Sequence, residues 1–148
     1  MRIGVITEPE GESRVAIVPS SIKKLVRAGY EVAIQEGAGK LSNYSDKDYT
    51  AAGAEIVDRE KALKSPFLIC VRFPEEADFF EGQIIACIAD PFRHPDRIKF
   101  CNSRKATLLS MDMIPRRLSR AQSMDVNSSQ DNLAGYKAVL LGASMVPK

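Results

Sequence analysis

The sequence predicts an α/β domain: a mostly parallel sheet flanked by helices, ending in a long C-terminal helix. Three observations predict it. Short β-branched runs recur at intervals that a helix would fill, the segments between them carry apolar residues at helical spacing with start and stop signals, and the final segment is helical in period with no strand after it. With 148 residues, the chain fits one ordinary domain that buries about 70% of the surface its unfolded form exposes, so no disulfide or metal is needed to hold a core.

The elements follow in order. "RIGVIT" (2 to 7), "YEVAIQ" (30 to 35), "FLICV" (67 to 71), "QIIACIA" (83 to 89) and "ATLLSM" (106 to 111) are brief, β-branched and bounded by turn residues, as buried parallel strands are. Between the first two lies "PSSIKKLVRAGY", in which Ile22, Leu25, Val26 and Ala28 share a helical face. Ser20 or Ser21 is placed to cap that helix, and Gly29 supplies a left-handed stop. Further helices are expected at "SDKDYTAAGA", "DREKALKS" and "HPDRIKFCNSRK", with right-handed crossovers if the strands are parallel. This is a Rossmann-like or flavodoxin-like order of elements. In the final segment Leu133, Tyr136, Val139, Leu140 and Ala143 fall near one helical face, with Ser128 or Ser129 as cap and Asp131 in the first turn. A helix is therefore expected from about Ser129, with Pro147 to end it. The expected division is an α/β domain over 1–128 and the start of a connecting helix over 129–148. An α/β chain that closes on such a helix reads as a fragment of a longer protein.

A composition of 45% apolar and 27% charged residues is that of a soluble globular protein. The formal net charge of +2 is too small to argue for a nucleic acid or an anionic membrane as partner. "MRIGVITEPE" meets acidic residues too early for a signal or transit peptide, and no run approaches a membrane span, so a cytosolic setting is expected. Cys70, Cys87 and Cys101 are odd in number and lack metal-ligand spacing, which predicts buried free thiols and no metal site.

Several motifs invite a chemical reading. "EGAGKLS" (36 to 42) fails as a phosphate loop because Ile34 stands where the first glycine is needed and Leu41 where the hydroxyl is needed. As G-x-G-x-x-S with no helix opening behind it, it reads as a turn. His94 is the only histidine, and no cysteine or carboxylate is arranged around it as a nucleophile-base pair, so a surface or capping role is expected. Arg14 in "GESRVAIVP" offers its fork either to a ligand carboxylate or carboxamide or to a neighbouring acid. The segment "RLSRAQSMDVNSS" is more specific. A carboxamide such as that of nicotinamide presents one acceptor oxygen and two N–H donors; glutamine complements both, arginine the oxygen and aspartate the amide hydrogens. Arg117, Gln122, Asp125 and Ser128 supply that set within one loop. The same residues admit a plainer reading, with Asp125 as a helix N-cap and Arg117 as a solvated charge.

"SRAQSMD" followed by "SSQDNLAGYKAV", with "RIGV", "ESRVAIVP", "EGAG" and "AAGAEIV" in the same order, resembles the N-terminal region of the α subunit of the proton-translocating NAD(P) transhydrogenase family. The resemblance covers essentially the whole chain. It implies direct hydride transfer between NADH and NADP, coupled to proton movement through a membrane component. It implies further that NAD(H) is the cofactor of the component to which this chain belongs, with NADP(H) on a partner component. It carries Arg117, Gln122, Asp125 and Ser128 onto the nicotinamide site, the first three as the groups that serve hydride transfer. Arg116 is an extra residue against the family's P-R-[IV]-S pattern, so either arginine can be the one that faces the site. The glycine fingerprint belongs to a second domain. The partners implied are the NADP(H)-binding and membrane components, with a homodimer in the intact subunit. The location implied is cytoplasmic and peripheral to the membrane through those partners, or the matrix side in a mitochondrion.

Alanine dehydrogenases share the fold, and their resemblance places a substrate arginine at Arg14, a lysine at Arg72 and a histidine at Asp90. The arginine is kept, but the lysine and the histidine are not, and His94 is four residues off register. That leaves no evident acid-base group for an imine, whereas direct hydride transfer needs orienting groups only. A non-catalytic standalone module of the same fold is the third reading; retention of the Arg, Gln, Asp and Ser set argues against it.

Overall fold

A computed structural model describes residues 1–75, 77–115 and 117–146. They form β1 (Arg2–Val5), α1 (Pro19–Arg27), β2 (Glu31–Gln35), α2 (Asp46–Ala52), β3 (Glu55–Val57), α3 (Arg59–Leu63), β4 (Phe67–Arg72), β5 (Ile84–Ile88), α4 (Pro95–Ser103), β6 (Thr107–Ser110) and α5 (Val126–Met145). Short 3₁₀ turns occupy Lys40–Ser42, Met111–Met113 and Gln122–Met124. Two compact units result, Met1–Ser110 and Met111–Lys148.

The first unit is a six-stranded sheet in the order β3-β2-β1-β4-β5-β6, and every pairing in it is parallel. Because side chains alternate across a strand, the two faces build two cores. Ile3, Val5, Val32 and Ile34 point to one face, where Ile22 of α1 and Tyr49 of α2 cover them. Leu68, Cys70, Ile85 and Cys87 point to the other, under Ala62 of α3 and Cys101 of α4. Tyr49 is fully buried, and its hydroxyl donates to the Ile17 carbonyl at 3.0 Å. Burial pushes that phenol up to about 12.

All five expected strands are present, with ends shifted by a residue or two, and so are the four expected helices of the sheet unit. Gly29 takes φ 86°, with Tyr30 N–H donating to Leu25 O and Gly29 N–H to Val26 O, the paired bonds of a left-handed helix stop. Three details differ. Helix α1 is preceded by Val18 with Pro19 in its first turn and no side-chain cap, so Ser20 and Ser21 lie inside it; proline's fixed φ makes it a ready first residue. A sixth strand, β3, follows the Gly53 stop of α2. Helix α5 starts at Val126, three residues before the expected Ser129, and its cap is Asp125, as the plainer reading of that residue had it, and not Ser128 or Ser129. The expected stop at Pro147 lies outside the described residues.

Candidate functional site

In an open parallel sheet, ligands sit beyond the carboxyl ends of the strands where the strand order reverses. Here that point falls between β1 and β4. A cavity of about 550 Å³ opens there, and its polar lining includes Thr7, Glu8, Glu10, Gln35, Arg59 and Arg72. Glu8 reaches from its wall to the end of β4. Its two carboxylate oxygens accept the N–H groups of Val71 at 2.7 Å and Arg72 at 2.9 Å. Burial raises the Glu8 carboxyl above its ordinary range against the pull of those two amides. The two backbone donors at the end of β4 are thus taken by the Glu8 carboxyl group. The loop after β1 reads Ile6-Thr7-Glu8-Pro9-Glu10-Gly11, with a single glycine in its turn and not the G-x-G-x-x-G series that lets a pyrophosphate approach.

Arg14 lies beside this crevice. Its Nε donates to Glu12 Oε1 at 2.8 Å and a terminal nitrogen to Oε2 at 2.6 Å, a two-point pair. Arg72 Nε reaches the same Oε2 at 3.1 Å. The Arg14 guanidinium holds the Glu12 carboxyl down at about 2, and Glu12 in turn raises Arg14. Of the two expectations for Arg14, the structure displays the pairing with a neighbouring acid. Asp90 follows β5 with φ 44°, an uncommon conformation outside glycine. Its carbonyl accepts from Arg93 N at 3.1 Å and His94 N at 2.9 Å, and its carboxylate lies 3.6 Å from Arg93. His94 is exposed and precedes α4 without a side-chain capping bond. "EGAGKLS" is a turn followed by a 3₁₀ segment, with Gly37 N–H donating to Asp46 at 2.9 Å. All three cysteines are buried and free, and burial raises the thiols of Cys70 and Cys101.

The second unit carries the loop set. Asp125 Oδ1 accepts the N–H groups of Asn127 and Ser128, each at 3.0 Å, and Oδ2 accepts the Ser128 hydroxyl at 2.5 Å. That settles local roles: Asp125 satisfies two of the open amides at the start of α5, and Ser128, its proton committed to Asp125, has lone pairs left to accept. Gln122 opens the 3₁₀ turn Gln122–Met124, where its N–H donates to Leu118 O at 3.2 Å, and it is exposed. Arg117 is exposed in the same loop; Arg116 lies outside the described residues. The structure thus brings Asp125 and Ser128 into contact and leaves Arg117 and Gln122 presented to solvent. Ser128, Gln122 and Arg117 carry the types of acceptor and donor groups that a carboxamide can pair with.

Sequence reasoning missed Glu8 and Glu12. Glu12 had a local signal, an acid two residues before an arginine. Glu8 meets partners 63 and 64 residues away, for which no local pattern exists.

Residues 4–134 match the family described as Alanine dehydrogenase/PNT, N-terminal domain. Among curated proteins, the chain is 39% identical over 146 residues to the NAD(P) transhydrogenase subunit alpha of Cereibacter sphaeroides, covering 95% of this chain and 28% of that protein. Among solved structures, the transhydrogenase from Sinorhizobium meliloti matches with a TM-score of 0.92 and 34% identity, over 100% of this chain and 46% of that one. An L-alanine dehydrogenase matches with a TM-score of 0.75 and 27% identity, over 82% of this chain and 34% of that one. The chain therefore spans less than half the length of each of these proteins.

Proposed function

Because the chain belongs to the alanine dehydrogenase/PNT N-terminal domain family, we propose that it forms part of an NAD(P) transhydrogenase and supplies the loop that faces the nicotinamide of NAD(H). The observation that supports this most is the capped start of α5, where Asp125 fixes Ser128 beside a loop that presents Gln122 and Arg117. A dihydronicotinamide supplies the hydride. The chain's own task is to orient its carboxamide: Arg117 donating to the oxygen, Gln122 complementing both ends, Ser128 accepting an amide hydrogen, and Asp125 holding Ser128. No proton has to move through a side chain. Alanine dehydrogenation fits less well, since Asp90 and Arg72 stand where its histidine and lysine are expected and Arg72 is paired with Glu12.

The rest of the assembly belongs to the same proposal. The adenosine and pyrophosphate are held by a second domain, NADP(H) binding and the membrane path lie on partner components, and the intact subunit is a homodimer at the cytoplasmic or matrix face. No described helix is long and apolar enough to cross a membrane.

The test is stopped-flow hydride transfer in the reconstituted complex beside equilibrium NADH binding. Gln122→Asn should lower the transfer rate on the order of a hundredfold, as a misplacement of about 1 Å does, while the dissociation constant changes far less. Asp125→Asn keeps a capping oxygen and should be nearly silent in stability. An unchanged rate in the Gln122 variant would remove the loop from the site.

A further inference from the structure

We propose that Asn127 is the positioning residue that closes the loop bearing Arg117 and Gln122, an inference that rests on the nicotinamide-facing role proposed for that loop. Asn127 is the second residue of α5 and is half-buried. Its Nδ2 donates to the Asp112 carbonyl at 3.3 Å, while its backbone N–H is held by Asp125 at 3.0 Å. One side chain thereby ties the 3₁₀ turn Met111–Met113, where the loop begins, to the capped first turn of α5, where it ends.

Within the loop between, Ala121 is buried. The loop's backbone bonds are single turns, such as Ala121 N–H to Leu118 O at 2.8 Å and Met124 N–H to Ala121 O at 2.9 Å, and among the described residues it contains no strand. A segment without a ladder owes its conformation to how its ends are closed. The Asn127–Asp112 clasp therefore contributes to the direction in which Gln122 points.

The residue type separates this role from simple helix support. The clasp needs an N–H donor aimed at a carbonyl; an aspartate of the same shape can only accept, and its charge would face the Asp112 oxygen. The start of a helix, by contrast, favours an acidic residue through the macrodipole. Asn127→Asp thus breaks the clasp while suiting the helix.

The experiment is amide hydrogen exchange on the whole chain, followed by titration with reduced nicotinamide mononucleotide. Asn127→Asp and Asn127→Ala should each speed exchange at Ala121, Gln122 and Met124 on the order of tenfold, the scale of one net hydrogen bond. Exchange in β5 should be unchanged, and affinity for the mononucleotide should fall by a similar factor in both variants. Unaltered exchange at those three amides overturns the clasp. So does an Asn127→Asp protein that behaves as wild type while Asn127→Ala loosens α5, which would assign Asn127 to the helix alone. A wild-type chain that ignores the mononucleotide defeats the role proposed for the loop, and the exchange rates still decide the clasp.

Discussion

Glu12 gathers the positive charge beside the crevice: Arg14 contacts both of its oxygens and Arg72 one of them. Its folded-state carboxyl, at about 2, lies below the ordinary 4.5. The stabilisation it supplies is therefore complete above pH 4.5 and is lost as pH falls toward 2. Glu8 acts in the opposite sense. Its carboxyl is raised above 4.5, so its ionised form is penalised in the fold, and its contribution declines as pH rises just above that value. Urea unfolding across a pH series should show wild-type stability dropping on acidification through the Glu12 window. Glu12→Gln should lose about 2 kcal/mol at neutral pH, the scale of hydrogen bonds to a charged group, and should flatten the acid limb. Parallel acid limbs in the two proteins would mean that the cluster contributes no net stability.

Among the elements, α3 depends on a missing side chain in β1. A Cβ at Gly4 would stand 2.3 Å from the Ala62 carbonyl oxygen and 2.8 Å from Ser65 Cβ. The obstacle is backbone, which cannot swing aside. Gly4→Ala should therefore cost roughly 3 kcal/mol, the upper end of overpacking, as read from the thermal midpoint; a neutral Gly4→Ala would contradict the α3–β1 approach. The elements most visible in the sequence are those whose signals are local. Strand β2 and the Gly29 stop are legible because a β-branched run and a glycine at a helix end each depend on a few neighbouring residues. Strand β3 was not legible, since Glu55-Ile56-Val57 is an edge of three residues whose identity as a strand comes from pairing with β2. The start of α5 was misjudged because strong apolar periodicity begins only at Leu133, leaving Asp125, Ser128 and Ser129 as rival caps. Which one caps depends on the amides it reaches in space. Of the site, the loop set could be read as chemistry. The Glu8 clasp and the Asn127–Asp112 bond join residues that no sequence spacing relates.

At the scale of the molecule, the two units divide a chemical task unevenly. The sheet unit has the strand order of a nucleotide-binding fold, yet its switch-point amides are occupied by Glu8 and its β1 turn is acidic. Among its described residues, the second unit carries donors and acceptors of the kind a carboxamide pairs with. Under the proposed function, affinity for a whole dinucleotide comes mainly from outside this chain. The central claim, that this chain meets only the nicotinamide end of the cofactor, is tested most directly by NMR titration of the 148-residue protein with NADH and, separately, with ADP-ribose. NADH should bind in the millimolar range with shifts confined to residues 117–128, and ADP-ribose should produce none. Saturable sub-millimolar binding of ADP-ribose, with shifts at Thr7, Glu8 and Gln35, would contradict it.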